Sequence, residues 1–152
     1  AERSTTQIVK ALVQHGARIE ATRPKSQETA LHIACKTNRA IALYLIEQKA
    51  NIHECDEDGR TPFMYSVISS DPQLMMDLLR QDVDVNQTDD GGNTPLMYAA
   101  AHATVHVVMN LISNKADPEI KNERGETAWG IADELKRSDI LNIFQIKLKK
   151  RK

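Results

Sequence analysis

Aromatic residues make up only 4% of this 152-residue sequence. So little aromatic surface argues against a base-stacking platform for nucleic acid and leaves the interior to aliphatic side chains. Cysteine is equally scarce: Cys35 and Cys55 form neither a disulfide framework nor the paired C-x-x-C of a zinc site. No stretch reaches the roughly 18 apolar residues of a membrane-spanning helix. The first residues lack the charged, then apolar, then small-residue order of a secretory signal. A reducing, cytoplasmic setting is therefore expected, with Cys35 a buried thiol.

Catalytic signatures are missing as well. There is no G-x-x-x-x-G-K-[ST] phosphate loop and no G-x-S-x-G nucleophile elbow. Asp56, Asp58, Asp89 and Asp90 lack the glutamate an EF-hand places after its aspartates. No catalytic residue, cofactor, metal or small-molecule substrate is expected.

What the sequence does have is a period. Gly16-Ala17, Lys49-Ala50, Asp82-Val83 and Lys115-Ala116 recur every 33 residues. Thr61-Pro62-Phe63-Met64 and Thr94-Pro95-Leu96-Met97 recur on the same spacing, Thr127 continues it, and Thr29 precedes Thr61 by 32, one residue out of step. A fixed period of this size marks a stacked array in which each unit buries its apolar face against its neighbours.

Within that period Thr29-Ala30-Leu31-His32-Ile33-Ala34 comes closest to T-P-L-H-x-A. A unit of this length carrying that motif resembles the ankyrin repeat, a β-turn followed by two antiparallel helices. Met64, Met97 and Gly130 depart from the motif at its His, and Ala30 and Ala128 at its Pro. The resemblance spans nearly the whole chain. It implies an all-α solenoid of stacked helix-turn-helix units joined by hairpin loops, in one domain. The units are a partial repeat over 1–21, repeats over 22–55, 56–88 and 89–121, and a capping repeat over 122–152. Counting back from Gly16 puts Ala1 at the end of an absent inner helix, so a fragment of a longer protein is expected.

Each unit reads as turn, inner helix, loop, outer helix. In the third, Asp56-Glu57-Asp58-Gly59 forms the turn, Pro62 opens the inner helix, and Asp71-Pro72 caps the outer one. Leu74, Met75, Leu78 and Leu79 make its apolar stripe, with Leu79 expected in the inter-repeat core. Repeat two lacks one residue near Asn38-Arg39 and has one extra in the turn around Pro24. In the fifth repeat Ser138-Asp139 is expected to cap the outer helix. His102 and His106 have the spacing of two metal ligands, but the register puts a loop between them. His32 is read, from the resemblance, as tying neighbouring turns together.

The resemblance implies that function lies on the concave surface of turn tips and inner helices. By register this face includes Arg23, Lys25, Lys36, Asp56, Glu57, Asp58, Arg60, Ile68, Asp90, Asn93, His102, Glu123 and Arg124, with Ala101, Glu126, Glu134 and Leu135 beside them. A basic end near Arg23, Lys25, Lys36 and Arg39 precedes an acidic centre, a pattern that can steer a partner. Solvated turn formation explains the same aspartates. Tyr65 and Tyr98 occupy equivalent positions and suit either an interface hot spot or packing between repeats.

The last six residues, Lys147-Leu148-Lys149-Lys150-Arg151-Lys152, hold five cations; without them the body has 15 basic against 21 acidic residues, a net −6. Such a run reads as the solvated end of a helix or as a nuclear import signal. Leu78, Asp84, Val85 and Asn86 resemble the pattern hydroxylated on asparagine in some ankyrin repeats. The expected function is a monomeric, non-enzymatic module binding a protein, as peptide or folded domain. The alternatives are a recruiting or regulatory arm of a larger enzyme, such as a ligase adaptor or transferase, and a self-contained inhibitor.

Overall fold

The computed structural model describes residues 2–149. Nine helices follow one another among them: α1 (Glu2–Gln14), α2 (Ala30–Thr37), α3 (Arg39–Glu47), α4 (Pro62–Ile68), α5 (Pro72–Leu79), α6 (Pro95–His102), α7 (Val105–Ser113), α8 (Ala128–Glu134) and α9 (Ser138–Lys149). Among the described residues there is no strand, only one isolated bridge between Thr22 and Thr29. Residues 150–152 of the basic run lie outside the described residues.

Local chemistry starts and stops most of the helices. The motif threonines Thr29, Thr61, Thr94 and Thr127 are N-caps whose hydroxyls accept the amides of His32, Met64, Met97 and Gly130. Pro62 and Pro95 follow at the first helical position, where a missing N–H costs no bond. Asp71 caps α5 by accepting from the Gln73 and Leu74 amides. Asn38 ends α2 and caps α3 at once, which is how repeat two closes its helix pair with one residue fewer. Gly16, Lys49, Asp82 and Lys115 all have positive φ, between 62° and 86°. At Gly16, Lys49 and Lys115 the paired bonds of a Schellman stop follow, such as Lys49 N–H to Ile46 O and Ala50 N–H to Leu45 O, both 3.0 Å. The most regular landmark in the sequence is thus a helix terminator.

The helices form two layers. Inner helices α2, α4, α6 and α8 stack in order, as do outer helices α1, α3, α5, α7 and α9. Ala34, Cys35, Ala99, Ala100 and Ala132 are buried where inner helices meet, and their small side chains permit close approach. Leu45, Leu74, Met75, Leu78, Val107, Val108 and Leu111 fill the seam with the outer layer. Burial pushes the Cys35 thiol up to about 12, so it stays protonated.

Three expectations need correction. Leu79 is only half-buried, whereas Leu78 is completely enclosed, because the stripe is centred one residue earlier. Ser138 and Asp139 lie inside the first turn of α9, and Arg137 precedes it instead. Its carbonyl accepts from the Leu141 amide, while its guanidinium donates to Ala101 O at 3.2 Å and Ala103 O at 2.8 Å, clamping the last repeat to the one before. Finally, α1 runs unbroken from Glu2, through positions where the register places an inter-helix loop; that segment contains neither Pro nor Gly.

Truncating Leu78 to Ala is expected to cost about 2–5 kcal/mol in urea unfolding, and Leu79 to Ala clearly less. A second comparison reads the turn stacking. Gly59, Gly92 and Gly125 share φ +76°, but a Cβ on Gly92 would lie 3.0 Å from Asn122 Cα and Glu123 N, whereas Gly125 has open space. Gly125→Ala should therefore cost only the backbone strain, about 1–2 kcal/mol, and Gly92→Ala measurably more.

Candidate functional site

From repeat three onward, each turn is built by one side-chain oxygen. Asp56 Oδ1 accepts from the Asp58 and Arg60 amides at 3.0 and 2.9 Å, Asp89 Oδ1 from Gly91 and Asn93, and Asn122 Oδ1 from Arg124 and Glu126. Adjacent turns are then joined through the backbone. Glu57 N–H donates to Ser26 O, Asp90 N–H to Asp58 O and Glu123 N–H to Gly91 O, each at 3.0 Å. Below them His32 Nδ1 faces the Thr29 amide at 3.1 Å and so must accept, which puts the proton on Nε2, 3.1 Å from Arg60 O. His32 thereby ties repeat two to repeat three.

The residues assigned to the concave face divide into two groups. Asp56 and Tyr65 are buried, and the Tyr65 hydroxyl donates to Asp56 Oδ2. One repeat on, the Tyr98 hydroxyl donates to Asp89, and Arg60 Nε donates to that hydroxyl at 3.3 Å. Burial first, then the Asp89 bond, pushes the Tyr98 phenol up to about 12. Arg23 and Lys36 both pair with the buried carboxylate of Glu28, and Lys36 Nζ lies 4.0 Å from the Tyr65 ring centroid. Arg60 pairs with Asp58 at 3.0 Å. Arg39 pairs with Asp77 of α5 at 2.7 Å, so this cation belongs to the outer layer.

The second group stays open. Lys25, Glu57, Asp90, His102, Glu123 and Arg124 are exposed and Ile68 and Asn93 half-buried. A groove of about 350 Å³ between α6 and α8 gathers Asn93, Met97, Tyr98, Ala101, His102, Arg124, Glu126, Ile131, Glu134 and Leu135. Its site is set by size: Ala101 stands where repeats two and three carry Lys36 and Ile68.

Two features are not evident from the residues alone. The Glu28 carboxylate, which also accepts from Ser26 at 2.9 Å, is held down at about 2, chiefly by its bond to the Lys36 ammonium. Asn86 receives the Asp117 amide at 2.8 Å and donates to Lys115 O at 3.2 Å, so its side chain is a hook to the next repeat. Glu20, at the same register, accepts the Asn51 amide in the same way. The shared register was the available signal. Helix α6 ends at His102 and α7 begins at Val105, placing the loop between His102 and His106. Among the described residues no three His, Cys, Asp or Glu side chains are grouped to hold a metal, and no helix is long and apolar enough to cross a membrane.

The His32 tie has a pH signature. Burial lowers the imidazole below its ordinary 6.5, so the folded chain binds fewer protons than the unfolded one, and stability is full above that value and falls as pH drops through it. Urea midpoints measured from pH 8 to about pH 5 should fall on the acid side. The same series on His32→Met, which installs the residue that repeats three and four carry at this position, should lose most of that slope.

A sequence model described as ankyrin repeats (3 copies) matches residues 1–89, 42–122 and 68–147. Over 71 residues, 46% of this chain, the sequence is 37% identical to the Neurogenic locus Notch protein of Drosophila melanogaster, covering 3% of that protein. Over 71 residues, 45% of this chain, it is 34% identical to the diacylglycerol kinase iota of Rattus norvegicus, covering 7% of it. The chain therefore corresponds to a small part of each relative. With the period, the helix pairs, the capped turns and the family match in agreement, the chain belongs to the ankyrin repeat family.

Proposed function

We propose that this chain is a non-enzymatic protein-interaction module that holds a peptide or a folded domain against its concave surface. The observation that supports this reading is the groove between α6 and α8. It opens on the face formed by inner helices and turn tips, and its lining combines the apolar Met97, Ala101, Ile131 and Leu135 with the polar Asn93, Tyr98, His102, Arg124, Glu126 and Glu134. Apolar and polar side chains together are what a protein interface presents. The turn tips add Glu57 and Asp90, both exposed and without an ion pair among the described residues. A second reading, a regulatory arm of a larger enzyme, is favoured by the short match to a diacylglycerol kinase.

The test compares partners captured from the native source by the wild-type chain and by a variant with Glu57, Asp58 and Asp90 changed to Lys and with Ile68 and the half-exposed groove residue Leu135 changed to Glu. Asp56 is left intact because its carboxylate holds a turn. Capture should fall by about tenfold or more while the far-ultraviolet circular dichroism stays the same. Unchanged capture would remove the concave-surface reading.

A further inference from the structure

The register that relates the repeats also relates two glutamates. In repeat two, the residue before the motif threonine is Glu28 and the residue seven after it is Lys36. There the two side chains meet in a direct ion pair across the start and end of the inner helix. In repeat five the same two positions are Glu126 and Glu134, with the same separation along α8. The arrangement that holds an acid and a cation in repeat two holds two carboxylates in repeat five.

Neither glutamate has an ion pair among the described residues, where the Glu126 carboxylate accepts only from Asn122 Nδ2, at 2.9 Å. Both line the groove of about 350 Å³, together with Ile131 and the half-exposed Leu135. Across from them Ala101 leaves room that Lys36 and Ile68 fill in the earlier repeats. Long cationic side chains lay their methylene stems on such apolar surface while the charged head finds a carboxylate.

We propose that the groove takes one arginine or lysine side chain from an extended segment of a protein partner. Its charged head sits between Glu126 and Glu134, in the place the Lys36 ammonium occupies beside Glu28, and its stem lies on Ile131 and Leu135. The proposal rests on the interaction-module reading and narrows it to a peptide of stated chemistry. Arg124 and His102, which line the same groove, disfavour a second cation beside the first. The segment therefore carries a single basic residue flanked by neutral or apolar ones.

The test uses the whole chain. A phage-displayed library of random dodecapeptides is panned on it, and the recovered peptides are measured by fluorescence anisotropy against variants. The expected result is a shared lone Arg or Lys next to an apolar residue. Binding to Glu126→Gln/Glu134→Gln should be weaker by about tenfold or more, since a charge-assisted bond is lost, and binding to Glu47→Gln/Glu119→Gln, two exposed carboxylates that do not line the groove, unchanged. Peptides without a basic residue, or binding the groove variant undiminished, would overturn the proposal. If those peptides still lose affinity to Ile68→Glu, the concave-surface reading survives without the cation site; if they respond to no concave substitution, both fall. A selection that enriches nothing overturns the peptide proposal and leaves folded domains as partners.

Discussion

The inner and outer helices between α2 and α8 have only seven to nine residues each. Helices of that length do not persist in water unless something packs on them, since nucleation is costly and few bonds repay it. Everything else in this molecule follows from that constraint. Each unit must lean on the next, so the same contact recurs, and the same residue types recur with it. Ala34 and Ala99 are small because an inner helix passes close by, and Leu45, Leu78 and Leu111 are enclosed because outer and inner layers meet over them. The array is held by nearest neighbours, and no residue needs to reach across the whole length.

Polar groups fix the angle at which those neighbours meet. One acceptor oxygen at the start of each turn, from Asp56, Asp89 or Asn122, satisfies two amides. For the two aspartates the remaining oxygen takes a tyrosine hydroxyl from the inner helix. Turn and helix are thereby locked together at a buried site, where an unpaired carboxylate would be costly. Repeat two departs from the rule: Arg23 stands at the turn start, and the structure compensates with Glu28, which gathers Arg23, Ser26 and Lys36. Repeat five departs differently, keeping the acid position but placing Glu134 where the cation would be. Variation of this kind on a constant scaffold is how repeats acquire distinct surfaces.

Much of the fold was legible in the residues, because capping and termination are local. Thr61-Pro62 and Asp71-Pro72 announce helix starts through chemistry confined to one turn of chain. The position recurring at Gly16 and Lys49 announces a stop. Legibility declined where a decision involved several elements. Asp56 and Asp58 look alike in sequence, yet one is buried under a tyrosine and the other pairs with Arg60 at the surface. Leu78 and Leu79 are adjacent and equally apolar, and only the packing of α5 against its neighbours decides which one is enclosed. Arg137 carries no local sign that its guanidinium will reach two carbonyls more than thirty residues back.

The sequence by itself determined the unit, its length, its caps and the order of its parts, because these rest on backbone hydrogen bonding and on apolar periodicity within a single repeat. It also set which register positions carry charge. Only the tertiary structure decided which of those charges are already matched. Lys36 meets Glu28 and Arg39 meets Asp77, while Glu126 and Glu134 face a groove whose room is left by Ala101 of the neighbouring repeat. Ion pairing and cavity shape depend on distances between side chains of different helices, and those distances exist only once the repeats have stacked.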